Sequence, residues 1–104
     1  MARVAFKMRL KPGCEAIYQE KHDAVWPEVA ALIRRTGIRN YSIHRLGLDL
    51  FAYYETDEPT APLATGGAID PVQRDWWLMM EPYMEYNDDH TPTIWPMTEM
   101  FYQE

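Results

Sequence analysis

The sequence predicts an α+β fold of the ferredoxin-like split-sandwich type, with elements in the order strand, helix, strand, strand, helix, strand (βαββαβ). Three observations carry that prediction. Apolar side chains alternate along residues 3 to 10, two β-rich runs at 39 to 46 and 49 to 56 stand only two residues apart, and segments of helical period flank that pair on both sides. Such an order builds one antiparallel sheet with its helices on a single face.

In the first run, "RVAFKMRL", Val4, Phe6, Met8 and Leu10 point one way and Arg3, Ala5, Lys7 and Arg9 the other, and Pro12-Gly13 then end the strand. From Cys14 onward Ile17, Tyr18, Val25, Val29, Leu32 and Ile33 recur at helical spacing. Pro27 lacks an amide donor, so it either kinks this helix or starts a second one at its first turn. Arg34, Arg35 and Thr36 before Gly37 make a cationic last turn and a stop. "RNYSIHRL" and "DLFAYYET" read as a hairpin across Gly47-Leu48. Residues 57–71, with three prolines and two adjacent glycines, read as a loop that delivers Asp70 as N-cap and Pro71 as first residue of the next helix. In that helix Val72, Trp76, Met79, Met80 and Tyr83 share helical spacing. A polar, turn-rich stretch follows, and "MTEMFYQE" (97–104) is expected to be the last strand.

The 104 residues read as one domain spanning 1–104, without repeats or linkers. So short a chain has little core from which to carve an enclosed cavity, so part of a deep site's wall is expected from a second copy. The sheet's other face, expected to be rich in Phe, Tyr and Met, would be bare in a monomer, which predicts a homodimer with sheets face to face, a dimeric α/β-barrel arrangement. A net charge of −6 with scattered basic residues argues against a nucleic-acid partner. No run of about 18 apolar residues is present, so no membrane span is expected. Met1 leads straight into a strand pattern rather than a signal peptide, and the lone Cys14 cannot form an internal disulfide, so a cytoplasmic location is expected.

Tyr18 and His22 are four residues apart and project from one helical stripe, where a histidine can exchange protons near neutral pH. By spacing alone they read more readily as a core aromatic and a surface or core-edge histidine. Trp76 and Trp77 diverge by about 100°, so one of the two is expected at an edge or in a pocket. Indole's flat apolar face and single N–H suit a sugar ring as well as they suit core packing. Tyr41 shares a strand face with Ile43 and Arg45 and can line a site over the sheet. Asn87, Asp88, Asp89 and His90 read as a solvated turn. His22, His44, His90 and Cys14 lack metal-ligand spacing, and Gly66-Gly67 lacks the pattern of a phosphate loop.

In order and spacing, "AFKM", "YQEKHDAVWPEV", "NYSI", "WW" and "EMFY" resemble the L-rhamnose mutarotase family from end to end. The resemblance implies an isomerase that interconverts the α and β anomers of L-rhamnose in cytoplasmic rhamnose catabolism, with a dimeric ferredoxin-like fold and no metal or organic cofactor. It implies that His22 is the proton donor and that Tyr18, Tyr41, Trp76 and Trp77 contact the sugar. The stretch before the tryptophans and "YNDDHTP" depart from the family's pattern. On this reading His22 acts as the acid at the ring oxygen, with Tyr41, Asp88, Asp89 or a bound water as its partner base, and Trp76→Ala mainly weakens sugar binding. Two other readings compete: a small ferredoxin-like monooxygenase or haem-degrading enzyme, with His22 or His90 as ligand or relay, and a non-catalytic sugar-binding protein.

Overall fold

The alternation of the first segment forms β1 (Ala2–Arg9), which lies inside the sheet of a computed structural model describing residues 2–57 and 70–104. β1 pairs antiparallel along its whole length with β3 (Asp49–Thr56), from Ala2 opposite Thr56 to Arg9 opposite Asp49. β2 (Ile38–Leu46) adds to the far side of β3, and the two-residue β4 (Trp95–Pro96) adds to β1, in the order β2-β3-β1-β4. Every pairing is antiparallel, as a split βαββαβ chain requires. The predicted loop over 57–71 falls mostly outside the described residues.

Paired residues share a face, so Phe6 and Met8 join Ala52 and Leu50 beneath the helices, and all four are buried. Three helices supply the other layer of this core: α1 (Glu15–Asp23), α2 (Pro27–Arg35) and α3 (Pro71–Met80), the last continuing into a 3-10 turn at Glu81–Tyr83. Pro27 begins α2 rather than kinking α1. The residue before a proline is driven out of the helical region, and Trp26 accordingly takes an extended φ/ψ of −62°/134°. Asp70 caps α3 through Oδ1, which accepts the Val72 amide at 2.9 Å. Gly37, at φ +81°, closes α2 in the left-handed conformation that a side chain would oppose.

A β-bulge interrupts the β2–β3 ladder between Arg39 and Ser42, and Asn40 within it has φ +53°. Two residues there face one, so the strand's parity switches. Ile38 is buried before the bulge, and after it Tyr41 and Ile43 pack on the same core. Asparagine tolerates this conformation better than most side chains, and its Nδ2 is fixed to Glu55 Oε1 at 2.8 Å.

Two expectations are corrected. Residues 97–104 are not a strand: the Met97 amide donates to Ala5 O at 3.0 Å, and the ladder then ends. With Phe6 opposite Pro96, an antiparallel register would set residues 97–100 opposite Ala5 to Ala2, so only 101–104 run beyond β1, and the ladder ends before β1 does. Side chains hold it instead, Arg3 Nε donating to Glu99 Oε1 at 2.8 Å with its guanidinium 3.4 Å from the Tyr102 ring centre. The bare sheet face is also not rich in methionine. By register it carries Arg3, Lys7 and Arg9 beside Phe51, Tyr53 and His44, and both Lys7 and Arg9 pair with Asp49. Phe6 and Met8 have the opposite parity and face the helices.

Candidate functional site

Between the helices and the sheet lies a cavity of about 380 Å³. Its floor is the buried sheet face, with Phe6, Met8, Tyr41 and Ile43, and its walls come from α1, α2 and α3. The volume lies in the lower part of the range for small-molecule sites.

The i, i+4 spacing on α1 brings Tyr18 and His22 to the cavity with their rings stacked, centres 4.1 Å apart and planes inclined by 25°. His22 Nδ1 lies 3.1 Å from the Tyr18 carbonyl oxygen. A carbonyl only accepts, so Nδ1 carries the hydrogen and Nε2 keeps its lone pair. Burial lowers the His22 pKa from 6.5, against smaller upward pushes from that carbonyl and from Asp23, so the imidazole is neutral at pH 7. In that form the resting imidazole presents an acceptor at Nε2.

The Trp-Pro pair after α1 fixes this arrangement from behind. Trp26 meets Trp76 edge to face at 5.1 Å, and Trp76 meets His22 edge to face at 5.4 Å. Trp76 and Trp77 were expected to put one ring at an edge or in a pocket, and both line the cavity while both are buried. An arc of about 100° fits both because the cavity, together with Gln73 and Met80, occupies the space between them.

Tyr41, turned inward beyond the bulge, stacks on Tyr54 at 5.5 Å. Burial raises the pKa of Tyr18, Tyr41 and Tyr86, and Tyr18 is raised further by its closeness to the other two phenols. All three are neutral hydroxyls at pH 7, so Tyr41 has no accessible phenolate with which to serve as a base. Asp88 and Asp89 do not line the cavity; Asp89 Oδ1 accepts the Thr91 amide and hydroxyl within the turn. His90 is exposed and bonds Glu81 at 2.9 Å, while His44 lies on the bare sheet face. Among the described residues no three His, Cys, Asp or Glu side chains converge as a metal site.

The cavity thus collects Tyr18, His22, Tyr41, Trp76 and Trp77, and adds residues that were not singled out. Tyr86 lines it with its hydroxyl donating to the Trp77 carbonyl at 2.7 Å. A bridge between Tyr86 and Pro92 closes the acidic turn and brings both flanks to the cavity. Nothing local in "EYNDDHTP" signals that, because the bridge depends on the turn's hydrogen bonds, among them the Asn87 amide to Thr91 O at 2.8 Å. Gln73, one turn before the tryptophans, is a further polar group of the lining that was not singled out, as are Gln19 and Ser42.

A family model described as L-rhamnose mutarotase matches residues 3–103. A protein named L-rhamnose mutarotase from Bacteroides thetaiotaomicron is 38% identical over 110 residues, covering 100% of both chains. Another of that name from Verminephrobacter eiseniae is 40% identical over 107 residues, covering 98% of this chain and 96% of its own. The crystal structure of L-rhamnose mutarotase FA22100 from Formosa agariphila superposes with a TM-score of 0.86 at 34% identity, covering 100% of each chain.

Proposed function

Because the chain belongs to the L-rhamnose mutarotase family, a family of carbohydrate isomerases, we propose that its cavity takes the L-rhamnose ring and that His22 moves the protons which open and reclose it. The observation that carries this reading is a neutral, cavity-lining imidazole with Nδ1 tethered to backbone and Nε2 left to react.

Exchange of anomers begins when the C1 hydroxyl loses its proton and the C1–O5 bond breaks, leaving an aldehyde at C1 and a proton to be placed on O5. Rotation about C1–C2 and attack of O5 on the other carbonyl face complete it. Both oxygens are attached to C1, so one Nε2 can serve both: neutral His22 takes the O1 proton and, as imidazolium, gives it to O5. It is then neutral again for the reverse sequence, which suits a reaction that is nearly thermoneutral. Tyr18 and Tyr41 offer neutral O–H donors to the ring hydroxyls and to the developing charge on O5. Trp76 and Trp77 offer apolar faces to the C–H surface and the 6-methyl. Stacking on Tyr18 and the edge of Trp76 hold the imidazole plane, so Nε2 meets a bound ring without searching.

Proton NMR saturation transfer between the α and β anomeric signals of L-rhamnose tests this. Exchange faster than the spontaneous rate is expected with protein present. Calorimetric binding with exchange at the spontaneous rate would make the chain a sugar-binding protein without catalysis. The acid limb of kcat/KM is expected to have its midpoint below pH 6.5, because the base form of His22 persists below its ordinary pKa. A pH series of the same transfer rates checks it. Linkage has a matching sign: the folded state holds fewer protons on this group than the unfolded, so its contribution to stability declines as pH falls through 6.5.

We further propose that two copies associate through the bare sheet face in the cytoplasm. Phe51, Tyr53 and Trp95 lie on or beside that face, and the adjoining tail exposes Met100 and Phe101 at 89% and 80%. The single, unpaired cysteine fits a reducing compartment. Sedimentation at micromolar concentration is expected to give the mass of two chains, and a clean monomer would remove the dimer.

A further inference from the structure

We propose that Gln73 is a sugar-binding, specificity-determining residue whose carboxamide brackets two neighbouring hydroxyls of the pyranose. This rests on the reading of the cavity as a rhamnose site.

At about 100° per residue, Trp76, Met80, Gln73 and Trp77 occupy a single arc of α3 in that angular order, so Gln73 lies between the two indoles. All four are buried and all four line the cavity. Gln73 is the one polar side chain among them, and only 7% of it is exposed.

A carboxamide carries two N–H donors and an oxygen with two lone pairs. Among the described residues it finds no hydrogen-bond partner, and yet its polar atoms are not sealed away as orphans, so its free valences are turned to the cavity. An amide with a purely structural role would be bonded to backbone, because leaving such a group unmet in a core is costly. Methionine would pack the same arc without that cost, as Met80 does one position away on the wheel.

Of the other polar groups lining the cavity, Gln19 gives an N–H to Asp23, and Tyr18, Tyr41 and Ser42 each offer a single hydroxyl rather than an amide's separate donors and acceptor. Each indole has a donor but no acceptor, Tyr86 has given its hydrogen to Trp77 O, and His22 Nε2 is committed to the anomeric centre. A vicinal diol presents one hydroxyl to donate and one to accept, which is the pair a single primary amide completes. The charge-free lining beside it selects a neutral polyol over a sugar phosphate or uronic acid.

The test is Gln73→Met, read by saturation transfer and by calorimetry with L-rhamnose and its monodeoxy analogues. KM and Kd for L-rhamnose are expected to rise about ten- to thirty-fold, the equivalent of one or two lost hydrogen bonds, with kcat changed less than about two-fold and Tm unchanged or higher. In the wild type, removal of either of two adjacent hydroxyls weakens binding; in the variant those penalties disappear. An unchanged Kd, or deoxy penalties that persist in the variant, overturns the proposal. Should Gln73→Met fold poorly, Gln73→Glu keeps the shape and the acceptor but loses the donors, and unchanged KM and Kd in it overturn the proposal equally. Absence of exchange in the wild type would refute the enzymatic reading alone, since the Kd comparison still decides the role of Gln73.

Discussion

Replacement of His22 by alanine is expected to lower the rate of anomer exchange by about 10² to 10⁴, the usual contribution of one positioned acid–base group, with the protein still folded. The fold survives because the imidazole is a half-buried group at the last turn of α1, bonded only to that helix's own Tyr18 carbonyl. What is lost is a stack on Tyr18 and an edge contact with Trp76, about 1 kcal/mol of aromatic contact beyond area burial. Sugar binding is expected to change little, because the proposed hydroxyl and ring contacts come from Tyr18, Tyr41, Gln73 and the indoles. The transfer rate at saturating L-rhamnose measures the chemistry, and circular dichroism with a melting curve verifies the fold. The His22→Gln variant retains a hydrogen-bonding side chain that cannot be protonated near neutral pH, so it is expected to be as slow as His22→Ala. A wild-type rate in either variant would take the histidine out of the reaction.

Local patterns made much of this arrangement legible. Alternation in "RVAFKMRL" named the buried residues of β1, and the Asp70-Pro71 pair located the start of α3 to the residue. The Tyr18/His22 pair follows from helical spacing alone, and the order of elements is enough for the βαββαβ topology. What stayed illegible depends on long-range registration. Tyr41 reaches the cavity because a bulge at Asn40 switches the parity of β2; Ile38 at one parity and Ile43 at the other is the trace it leaves in the sequence. The final segment reads as a strand by composition, but its backbone leaves the ladder after Met97 and its side chains dock on Arg3 instead, contacts between residues far apart in the chain. Trp76, Gln73 and Trp77 could be placed on an arc, but that a cavity would open against that arc depends on what α1 and the sheet put opposite. Tyr86 enters only through closure of its turn, a contact between residues whose neighbours are all polar.

Trp76→Ala is expected to do more than weaken sugar binding, the effect that the family resemblance implies. The ring is 6% exposed and sits at a junction: Trp26 on one side, the tether between α1 and α2, and His22 on the other. Removing so large a buried side chain costs about 3 to 5 kcal/mol, since the transfer loss is joined by the cavity it leaves. For a domain of this size that corresponds to a fall in Tm of more than about 10 °C. Trp26 would lose the surface it packs on, and the imidazole would lose the edge that helps set its plane, so kcat should fall along with affinity. Trp76→Phe separates these effects. It keeps an aromatic surface between Trp26 and His22, so most of the stability and of kcat should return, whereas the indole N–H and the wider face available to the sugar do not. Chemical denaturation and the saturation-transfer rate, measured on both variants, check the pair: equal loss of kcat in the two would mean that the indole itself serves the reaction, and an unaltered Tm in Trp76→Ala would mean that the junction carries no stability. The expected split places Trp76 in both roles, with its position between two helices setting the larger one.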